Sequence, residues 1–396
     1  MKLSLKQNDA VQCIASAFGT RSISIITGGP GTGKTTVLRW ALAGLSAAER
    51  QDVLLLAPTG KAALRIQEVT GVDAMTIHRY LFSGEAKIPQ VCIVDETSMV
   101  DAALLASLIR KLPPTSSLVL IGDADQLPSV GPGRVFGDLI GSGTVRTIRL
   151  TEVHRAMERS WVCQNAPVIL GGDIDLMPTS DFMFIDAKGE DDVIAAVTKV
   201  WRKEVANAPK SFQLLIPMRR FGLGTEKINA LLQKTRLSED SELLSDPEKN
   251  SLPSGPNTAF WRGDPVIHVK NNYGLSVFNG ETGPITAVRG EKSSKGTGLS
   301  VVYGKRVVDY NPAVAQDELR LAYAMTIHKS QGSEWDSVAV VCHDAHRSMW
   351  NKQLLYTAVT RSRGMVYLIG TESAVRRAIA TDAPSTRITT LQQRLR

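Results

Sequence analysis

Short apolar runs alternate with amphipathic stretches along the first half of the chain. Each run is four to six residues long and is followed by a loop that contains Gly, Pro, Asp or Thr. These runs predict strands at 22–27, 53–57, 91–94 and 117–121. Helical patterns between them include 35–44 and 102–111. Repetition of strand, loop and helix predicts a parallel sheet covered on both faces, in which ligands bind at the carboxyl ends of the strands.

The second half of the chain continues this pattern and then departs from it. A helix and three strands are predicted at 162–170, 212–216, 337–342 and 365–369. The segment 247–257 is rich in Pro, Ser, Gly and Asn and is predicted to be a linker. From 260 to 310, short β runs alternate with Gly turns, which predicts a small antiparallel barrel inserted into the second domain.

These elements predict an α/β fold with two P-loop-type parallel-sheet domains. The first domain is expected at 1–150. The second is expected at 151–259 and 311–396, with the inserted barrel at 260–310. Ligands of such an arrangement would lie between the two domains, beside the strand ends of the first sheet.

The segment GGPGTGKT at 28–35 fits the pattern G-x-x-x-x-G-K-S/T and lies between a predicted strand and a predicted helix. Its glycines let backbone N–H groups point at phosphate oxygens, at the positive end of the helix dipole. In such loops the lysine, here Lys34, reaches the β- and γ-phosphates, and the hydroxyl of Thr35 ligates Mg²⁺. A chance glycine turn would lack these flanking elements. We therefore predict an ATP site formed by Gly28, Gly29, Pro30, Gly31, Thr32, Gly33, Lys34, Thr35 and Thr36.

Two further strand ends carry polar residues suited to ATP hydrolysis. Asp95 follows the strand at 91–94 and is placed to hold Mg²⁺, while the adjacent Glu96 can orient and partly deprotonate the attacking water. Without the P-loop, this pair would indicate a helix N-terminal cap. After the next strand, LIGDADQLP offers Gln126, whose amide near the γ-phosphate could distinguish ATP from ADP. A polar turn is the alternative for Gln126.

Composition narrows the class of protein. The 396 residues are 43% hydrophobic and 21% charged, which is typical of a globular protein. The net charge of +7 favours a polyanionic partner such as nucleic acid. No apolar run is long enough to span a bilayer, so no membrane partner is expected. The cysteines lack metal-ligand or redox spacing, so no zinc site, iron–sulfur cluster or disulfide is expected, as suits a reducing cytoplasm: Cys13, Cys92, Cys163 and Cys342.

Eight motifs stand in an order and spacing that resemble one known family, the superfamily 1B helicases of the RecD/Dda type. They run from about residue 5 to residue 370: GGPGTGKTT, APTGKAALRI, TIHR, VDETSMVD, GDADQLPSVGPG, LTEVHRA, AMTIHKSQGSEWD and LLYTAVTRSR. The resemblance implies two RecA-like domains and an SH3-like barrel at 260–310. It also implies ATP- and Mg²⁺-dependent movement on single-stranded DNA, 5′ to 3′, in replication, recombination or repair within a bacterial or phage-infected cell.

The resemblance also implies roles for residues that patterns alone would not single out. Gln7, in LKQNDAV, resembles the glutamine that contacts the adenine edge. Arg155, in LTEVHRA, and Arg361, in YTAVTRSR, resemble two arginines that reach the γ-phosphate from the second domain. Such an arginine typically contributes about 10³–10⁵ in rate. Glu334, in SQGSEWD, resembles an acidic residue on the ribose or γ-phosphate side. Ala156 departs from the family, which usually has Gln there, and a polar contact is lost.

The resemblance implies contacts to the nucleic-acid strand in both domains. Thr59 and Lys61, in APTGKAA, resemble contacts to strand phosphates. An internal repeat adds to them, since AMTIHR at 74–79 returns as AMTIHK at 324–329. We interpret the repeat as two equivalent loops, one per domain, that hold backbone phosphates without sequence specificity. Their contacts would come from Thr76 and His78 in one domain and from Thr326 and His328 in the other.

Two other functions stay open at this stage, and one element is unusually small. An RNA helicase would respond to poly(U) rather than poly(dT), and an ATP-switched assembly protein would hydrolyse ATP slowly whether or not single strands are present. Relatives carry a β-hairpin pin that splits duplexes, but here only 80–90 is available for it. We therefore expect weak unwinding by the chain alone, with a protein partner supplying the wedge. The oligomeric state is left open.

Overall fold

The computed structural model describes residues 3–83, 88–152, 160–206, 211–255, 258–289, 296–382 and 389–396. Six strands form the first sheet: β1 (Ile23–Gly28), β2 (Val53–Ala57), β3 (Ala74–Thr76), β4 (Val91–Val94), β5 (Ser117–Gly122) and β6 (Arg146–Leu150). All the pairs are parallel, in the order β3-β2-β4-β5-β1-β6. The carboxyl ends of these strands therefore lie along one edge of the sheet.

Seven helices accompany this sheet: α1 (Leu5–Ala15), α2 (Lys34–Gly44), α3 (Ala47–Gln51), α4 (Gly60–Thr70), α5 (Ile77–Phe82), α6 (Ala102–Lys111) and α7 (Val135–Ser142). Consecutive strand residues point to opposite faces. On β1, Ile26 packs with α1, α2 and α4, whereas Ile25 packs on the other face with α5, α6 and α7. The predicted parallel sheet with two covered faces is confirmed.

The second half begins with helices and strands in alternation. Its first elements are α8 (Trp161–Leu170), β7 (Phe182–Asp186), α9 (Glu190–Ala206), β8 (Phe212–Ile216), α10 (Thr225–Glu239), α11 (Ser241–Ser245) and α12 (Pro247–Asn250). After the antiparallel elements come β16 (Ala324–Thr326), β17 (Trp335–Cys342), α14 (Lys352–Val359), β18 (Ser362–Gly370), α15 (Glu372–Ala380) and α16 (Leu391–Leu395). The five strands of this half form a second parallel sheet, in the order β16-β8-β17-β18-β7.

Antiparallel strands and one helix lie between α12 and β16 along the chain. They are β9 (Ser251–Gly255), β10 (Thr258–Trp261), β11 (Pro265–His268), β12 (Thr282–Arg289), β13 (Gly298–Tyr303), β14 (Arg306–Tyr310), the helix α13 (Pro312–Glu318) and β15 (Leu319–Leu321). Five of these strands pair in the order β14-β13-β12-β11-β15, and β9 pairs with β10. The sheet thus takes in β15, which lies beyond residue 310. An antiparallel sheet stands where the barrel was predicted.

Two features differ from the sequence-based expectation. The predicted linker at 247–257 is wrong, because α12 and β9 occupy most of it. Leu252 of β9 is buried in the antiparallel core with Phe260, so this Pro- and Ser-rich segment belongs to a packed element. The C-terminal helix α16 belongs to the segment 311–396 that was expected in the second domain, but it packs on α7 of the first. There Gln392 donates to the carbonyl of Gly141 at 2.8 Å. Among the described residues, no helix is long and apolar enough to cross a membrane.

Candidate ATP site and strand-binding loops

A cavity of about 360 Å³ lies between the two parallel sheets. The first domain lines it with the P-loop and with three residues at strand ends, Asp95, Glu96 and Gln126. The second domain lines it with Glu334 and Arg361. The structure therefore brings together most of the residues predicted for ATP binding and hydrolysis, and it draws them from both parallel-sheet halves; Gln7, Gly28 and Thr32 do not line the cavity.

The P-loop joins β1 to α2 and depends on its glycines. Gly31 and Gly33 have φ angles of +70° and +85°, which other residues adopt only with strain. A Cβ on Gly28 would lie 2.6 Å from the hydroxyl oxygen of Thr32, so no larger residue fits there. The ammonium of Lys34 donates to the carbonyls of Gly28 and Gly29, at 2.6 and 3.0 Å. This places the positive charge within the loop that would surround the phosphates.

Gln7 is buried against this loop. Its side-chain oxygen accepts from the backbone N–H of Ser4 at 3.0 Å, and its amide nitrogen donates to the carbonyl of Thr32 at 3.0 Å. Helix α1 is thereby attached to the P-loop. Both ends of the Gln7 amide contact protein, so contact with the adenine edge stays a prediction.

Asp95 and Glu96 follow β4 at the edge of the cavity. Burial, together with the charge of Glu96, raises the pKa of Asp95 to about 6. An oxygen of Asp95 accepts from the N–H of Glu96 at 2.8 Å, and Glu96 has a φ of +52° in the left-handed region. A raised pKa marks a carboxylate that lacks enough nearby positive charge. Asp95 and the hydroxyl of Thr35 are hard oxygen donors, so this site fits Mg²⁺.

Gln126 lies at the cavity with one unsatisfied atom. Its amide nitrogen donates to Asp123 at 3.0 Å, and Asp123 also accepts from the hydroxyl of Tyr356 in the second domain at 2.9 Å. The side-chain oxygen of Gln126 is buried and has no hydrogen-bond partner among the described residues. Buried polar atoms in proteins are rarely left unpaired, so this oxygen is available to a water or a ligand.

The two predicted arginines have different outcomes. Arg155 lies outside the described residues. Arg361 is buried, and its guanidinium donates to the carbonyls of Thr357 and Ser333 at 3.0 and 3.3 Å. These acceptors are neutral and orient the guanidinium, whose charge also helps to lower the pKa of Glu334. Arg361 therefore presents a fixed positive charge at the second-domain wall of the cavity.

Sequence reasoning missed a salt bridge that crosses this cavity. One oxygen of Glu334 accepts from Arg65 of the first domain at 2.7 Å and from Arg363 of the second at 2.9 Å. Burial would raise the pKa of Glu334, but the charge of Arg65 leads the effects that lower it below the ordinary value. Arg65 stands one helical turn after Lys61 on α4, in the APTGKAALRI motif, and this position was its signal in the sequence.

Uncharged contacts also join the domains beside the cavity. The backbone N–H of Leu127 donates to the hydroxyl of Thr357 at 2.9 Å, and the carbonyl of Leu127 accepts from Gln331 at 3.1 Å. All three residues are buried. A change in the cleft must therefore rearrange paired polar groups, which favours discrete positions of the two domains over gradual drift.

The two copies of the AMTIH repeat adopt the same local structure. Each ends an edge strand of its sheet, since Thr76 lies beside Ala57 of β2 and Thr326 lies beside Ile216 of β8. Each threonine hydroxyl caps the turn that follows, where it accepts from the N–H of Arg79 at 3.0 Å or of Lys329 at 3.4 Å. The repeat therefore marks equivalent positions in the two domains.

The histidines of the repeat stand in those turns. His78 is exposed, and His328 is half-buried. Burial lowers the pKa of His328 below its ordinary value. A phosphate contact by His328 would therefore come from a neutral imidazole N–H at neutral pH.

Thr59 and Lys61 lie at the start of α4, where the first domain meets both the second domain and the antiparallel insertion. Thr59 caps the helix by accepting from the N–H of Ala62 at 3.3 Å. The ammonium of Lys61 lies 5.0 Å from the ring centre of Trp335, and burial lowers its pKa to about 8. Phe278 of the antiparallel insertion packs so closely on Gly60 that a Cβ there would lie 2.2 Å away. In this conformation Lys61 contacts Trp335 of the second domain.

Comparison with solved structures supports the architecture. The Pif1 helicase from Bacteroides in complex with ADP-AlF3 and single-stranded DNA aligns with a TM-score of 0.61 at 19% identity, over 97% of this chain and 95% of that chain. The Pif1 helicase from Candida albicans aligns with a TM-score of 0.55 at 18% identity, over 97% of both chains. At these identities the likeness concerns the fold. The chain is thus an α/β protein with parallel sheets like those of Pif1.

Sequence comparison then identifies the family. Residues 2–189 match the family described as the AAA domain, and residues 321–369 match the UvrD-like helicase C-terminal domain. The ATP-dependent RecD2 DNA helicase of Deinococcus radiodurans is 35% identical over 94% of this chain, which spans 50% of that protein. The RecBCD enzyme subunits RecD of Mycolicibacterium smegmatis and Mycobacterium tuberculosis are 30% and 31% identical, and the chain covers 73% and 69% of them. The resemblance inferred from the motifs is confirmed, and the chain belongs to the superfamily 1B DNA helicases of the RecD type.

Proposed function

We propose that this chain is an ATP-driven motor that moves 5′ to 3′ on single-stranded DNA. The observation that carries the proposal is the cavity between the two parallel sheets. It combines a complete P-loop, the Asp95–Glu96 pair and Gln126 with Arg361 of the second domain. Because the site draws on both domains, hydrolysis would depend on their relative position. The names of the relatives and the single-stranded DNA in the Pif1 complex support the same substrate class.

Hydrolysis would use the side chains as follows. The P-loop N–H groups and Lys34 bind the phosphates, and Arg361 donates to the γ-phosphate. Glu96 accepts a proton from water while the water oxygen bonds to the γ-phosphorus and the bond to the β–γ bridging oxygen breaks, which releases ADP and phosphate. Asp95 and Thr35 would hold Mg²⁺, which when bound neutralises charge on the phosphate oxygens. The unpaired oxygen of Gln126 would accept a hydrogen bond from the attacking water.

Movement would follow from the two AMTIH loops. One loop leaves the first sheet and the other leaves the second, so a change in the cleft alters their separation. The Arg65–Glu334–Arg363 bridge crosses that cleft, where it would stabilise a closed position. If the loops hold the strand alternately, each cycle of ATP binding and hydrolysis advances the chain along it. Phosphate contacts would make this movement independent of sequence.

Displacement of streptavidin from biotinylated oligonucleotides tests the proposal and its direction. With ATP, the protein should remove streptavidin from the 3′ end of a single strand much faster than spontaneous release, and leave a 5′ block in place. A motor that moves 5′ to 3′ pushes only against the block ahead of it. The non-hydrolysed analogue of ATP is the control. Removal of the 5′ block alone would reverse the assigned direction, and removal of neither would contradict translocation.

The paired loops make a separate prediction. Thr76→Ala and Thr326→Ala should each weaken single-strand binding by on the order of 1 kcal/mol, the usual effect of one lost hydrogen bond. Basal ATPase should survive better than strand-stimulated ATPase. Binding is measured by fluorescence anisotropy with labelled oligothymidylate at several salt concentrations.

Loss of a helix cap must be separated from loss of a strand contact in this test. Thr371 caps α15 in the same way, accepting from the N–H of Ala374 at 3.1 Å, so Thr371→Ala is the matched control. Thr→Ser at either loop keeps the hydroxyl and should bind normally. Equal binding by wild type and both Thr→Ala variants at every salt concentration would leave the repeat with a structural role only.

Further proposals and alternatives go beyond the motor itself. The relatives named as RecBCD subunits support a protein partner for this chain, which would supply duplex separation. An ATP-switched assembly role is the second candidate, and slow hydrolysis unchanged by single strands would favour it. Stimulation by poly(U) as strong as that by poly(dT) would favour an RNA substrate. We also propose that the antiparallel insertion closes as an SH3-like barrel and that the chain acts in the cytoplasm.

A further inference from the structure

A loop after β8 carries an aromatic ring into solvent. The segment PMRRFGLG at 217–224 connects β8 to α10, and Phe221 at its tip is 84% exposed. The ends of the loop are anchored in the core, since Ile216 at the end of β8 and Leu223 after the tip are both fully buried. A large apolar side chain exposed at the tip of a loop that is anchored in the core is unusual on a protein surface.

The backbone of this loop is fixed in a strained conformation. Phe221 has a φ of +66°, which a bulky L-residue rarely adopts, and Gly222 follows at +38°. The N–H of Gly224 donates to the carbonyl of Phe221 at 2.7 Å, and the N–H of Thr225 donates to that of Met218 at 3.1 Å. Glycine would satisfy the geometry at Phe221 without strain. The turn therefore does not explain the aromatic residue at this position.

The loop emerges beside the second AMTIH loop. Strands β8 and β16 are neighbours and parallel, with Ile216 in register with Thr326. Both following segments therefore leave the same edge of the sheet side by side. Burial and the charges of Arg219 and Arg320 hold the pKa of Lys329 below its ordinary value, as expected if these cations lie close together.

The charges near the ring suit a polyanion. Arg219 and Arg220 precede Phe221, and more than half of each side chain is exposed. Glu226 accepts from Arg219 at 2.7 Å and lies 4.0 Å from Arg220, so one carboxylate faces two cations and excess positive charge remains. Exposed aromatic rings among cations are the arrangement by which proteins bind single strands, with rings stacking on bases and cations on phosphates.

We propose that Phe221 stacks on a base of the bound single strand, next to the phosphate contact of the second AMTIH loop. The inference rests on the proposed function and adds to it a contact to a base, whereas the AMTIH loops would contact phosphates alone. Stacking tolerates every base, so the contact preserves sequence independence. It gives the second domain a base contact that resists slipping of the DNA strand while the phosphate contact of that loop is released.

Three substitutions separate the ring from the backbone strain. Phe221→Ala and Phe221→Gly should each weaken binding of labelled oligothymidylate, by between about fivefold and a hundredfold for one lost stack. Phe221→Gly removes the ring but suits the positive φ, so its weaker binding cannot come from backbone strain at this position. Phe221→Trp should bind within about twofold of wild type, because it keeps a stacking surface. Trp40→Ala, which removes a half-exposed aromatic ring from α2, is the matched control.

A scan with a single abasic site identifies the contact directly. Wild type should bind most weakly when one particular position of the oligonucleotide lacks its base, and Phe221→Ala should lose that dependence. The slope of affinity against salt should stay unchanged in Phe221→Ala and fall in Arg219→Ala, since only the latter removes a charge. A flat abasic scan for a wild type that still shows strand-stimulated ATPase would overturn the stacking contact and leave the motor intact. Absence of single-strand binding would instead overturn the proposed function.

Discussion

Glu96→Gln is expected to lose most strand-stimulated ATP turnover while nucleotide binding is retained. Glutamine preserves the shape of the side chain and its place at the cavity, but a neutral amide cannot accept the proton of the attacking water. Positioned general bases contribute about 10²–10⁴ in rate, so turnover should fall by at least a hundredfold. The left-handed φ of +52° at Glu96 indicates that the backbone is held in a strained form at this position.

Two measurements and two controls define this experiment. Steady-state hydrolysis is measured with saturating oligothymidylate, and nucleotide affinity is measured separately with a fluorescent ATP analogue. Lys34→Ala should weaken both, because the ammonium contacts the phosphates themselves. Glu68→Gln, at an exposed position of α4, should change neither. Turnover of Glu96→Gln near that of wild type would remove Glu96 from the role of base and leave another acceptor to be found.

The sequence predicts those parts of the fold in which local pattern decides the structure. Strands β2 and β4 have the predicted bounds, because each is a continuous apolar run ended by polar or turn residues. The edge strands β3 and β16 were missed as strands, since three residues form a strand only through pairing with a neighbour. The linker prediction at 247–257 failed for a related reason. Composition there is that of a loop, but burial of Leu252 in the insertion core decides its structure.

The same distinction applies to the candidate site. Asp95 and Gln126 were found because carboxyl ends of parallel strands meet at one edge, and this follows from the order of the motifs. The Arg65–Glu334 bridge joins residues 269 positions apart, and no local pattern predicts which arginine meets the carboxylate. Contact of Lys61 with Trp335 depends likewise on how the second domain sits against α4. Contacts between domains require the assembled structure.

Efficient ATPase with weak unwinding of long duplexes is the second large effect that we expect. Helix α5 takes up the predicted pin region as far as Phe82, and residues 84–87 lie outside the described residues. The end of α5 is attached to α6. The ammonium of Lys111 donates to the carbonyls of Tyr80, Leu81 and Ser83 at 2.6 to 2.9 Å. On the other side, the N–H of Gln90 donates to Asp52 of the first domain at 3.0 Å.

Few residues remain between these two attachments to form a wedge. A hairpin needs two strands and a turn, and a short isolated hairpin is marginally stable in water. Phe82 and Ile88 flank the segment with exposed side chains, 83% and 71%, and could contact the end of a duplex, but they provide little length for separating it. The ATP site and the second AMTIH loop lie elsewhere, and Thr76 and His78 of the first AMTIH loop come before this segment, so translocation should not suffer. Strand separation and movement should therefore be uncoupled in the isolated chain.

The measurement is strand displacement on duplexes with a 5′ single-stranded tail and increasing duplex length. The same preparation should displace streptavidin readily, which is the control for an active motor. For the chain alone, the fraction of duplex that is separated should fall steeply with duplex length, because each closed base pair must open spontaneously before the motor can advance. Processive separation of long duplexes by the purified chain would contradict the prediction. The short segment at 80–90, or the antiparallel insertion, would then have to act as the wedge without help from a partner.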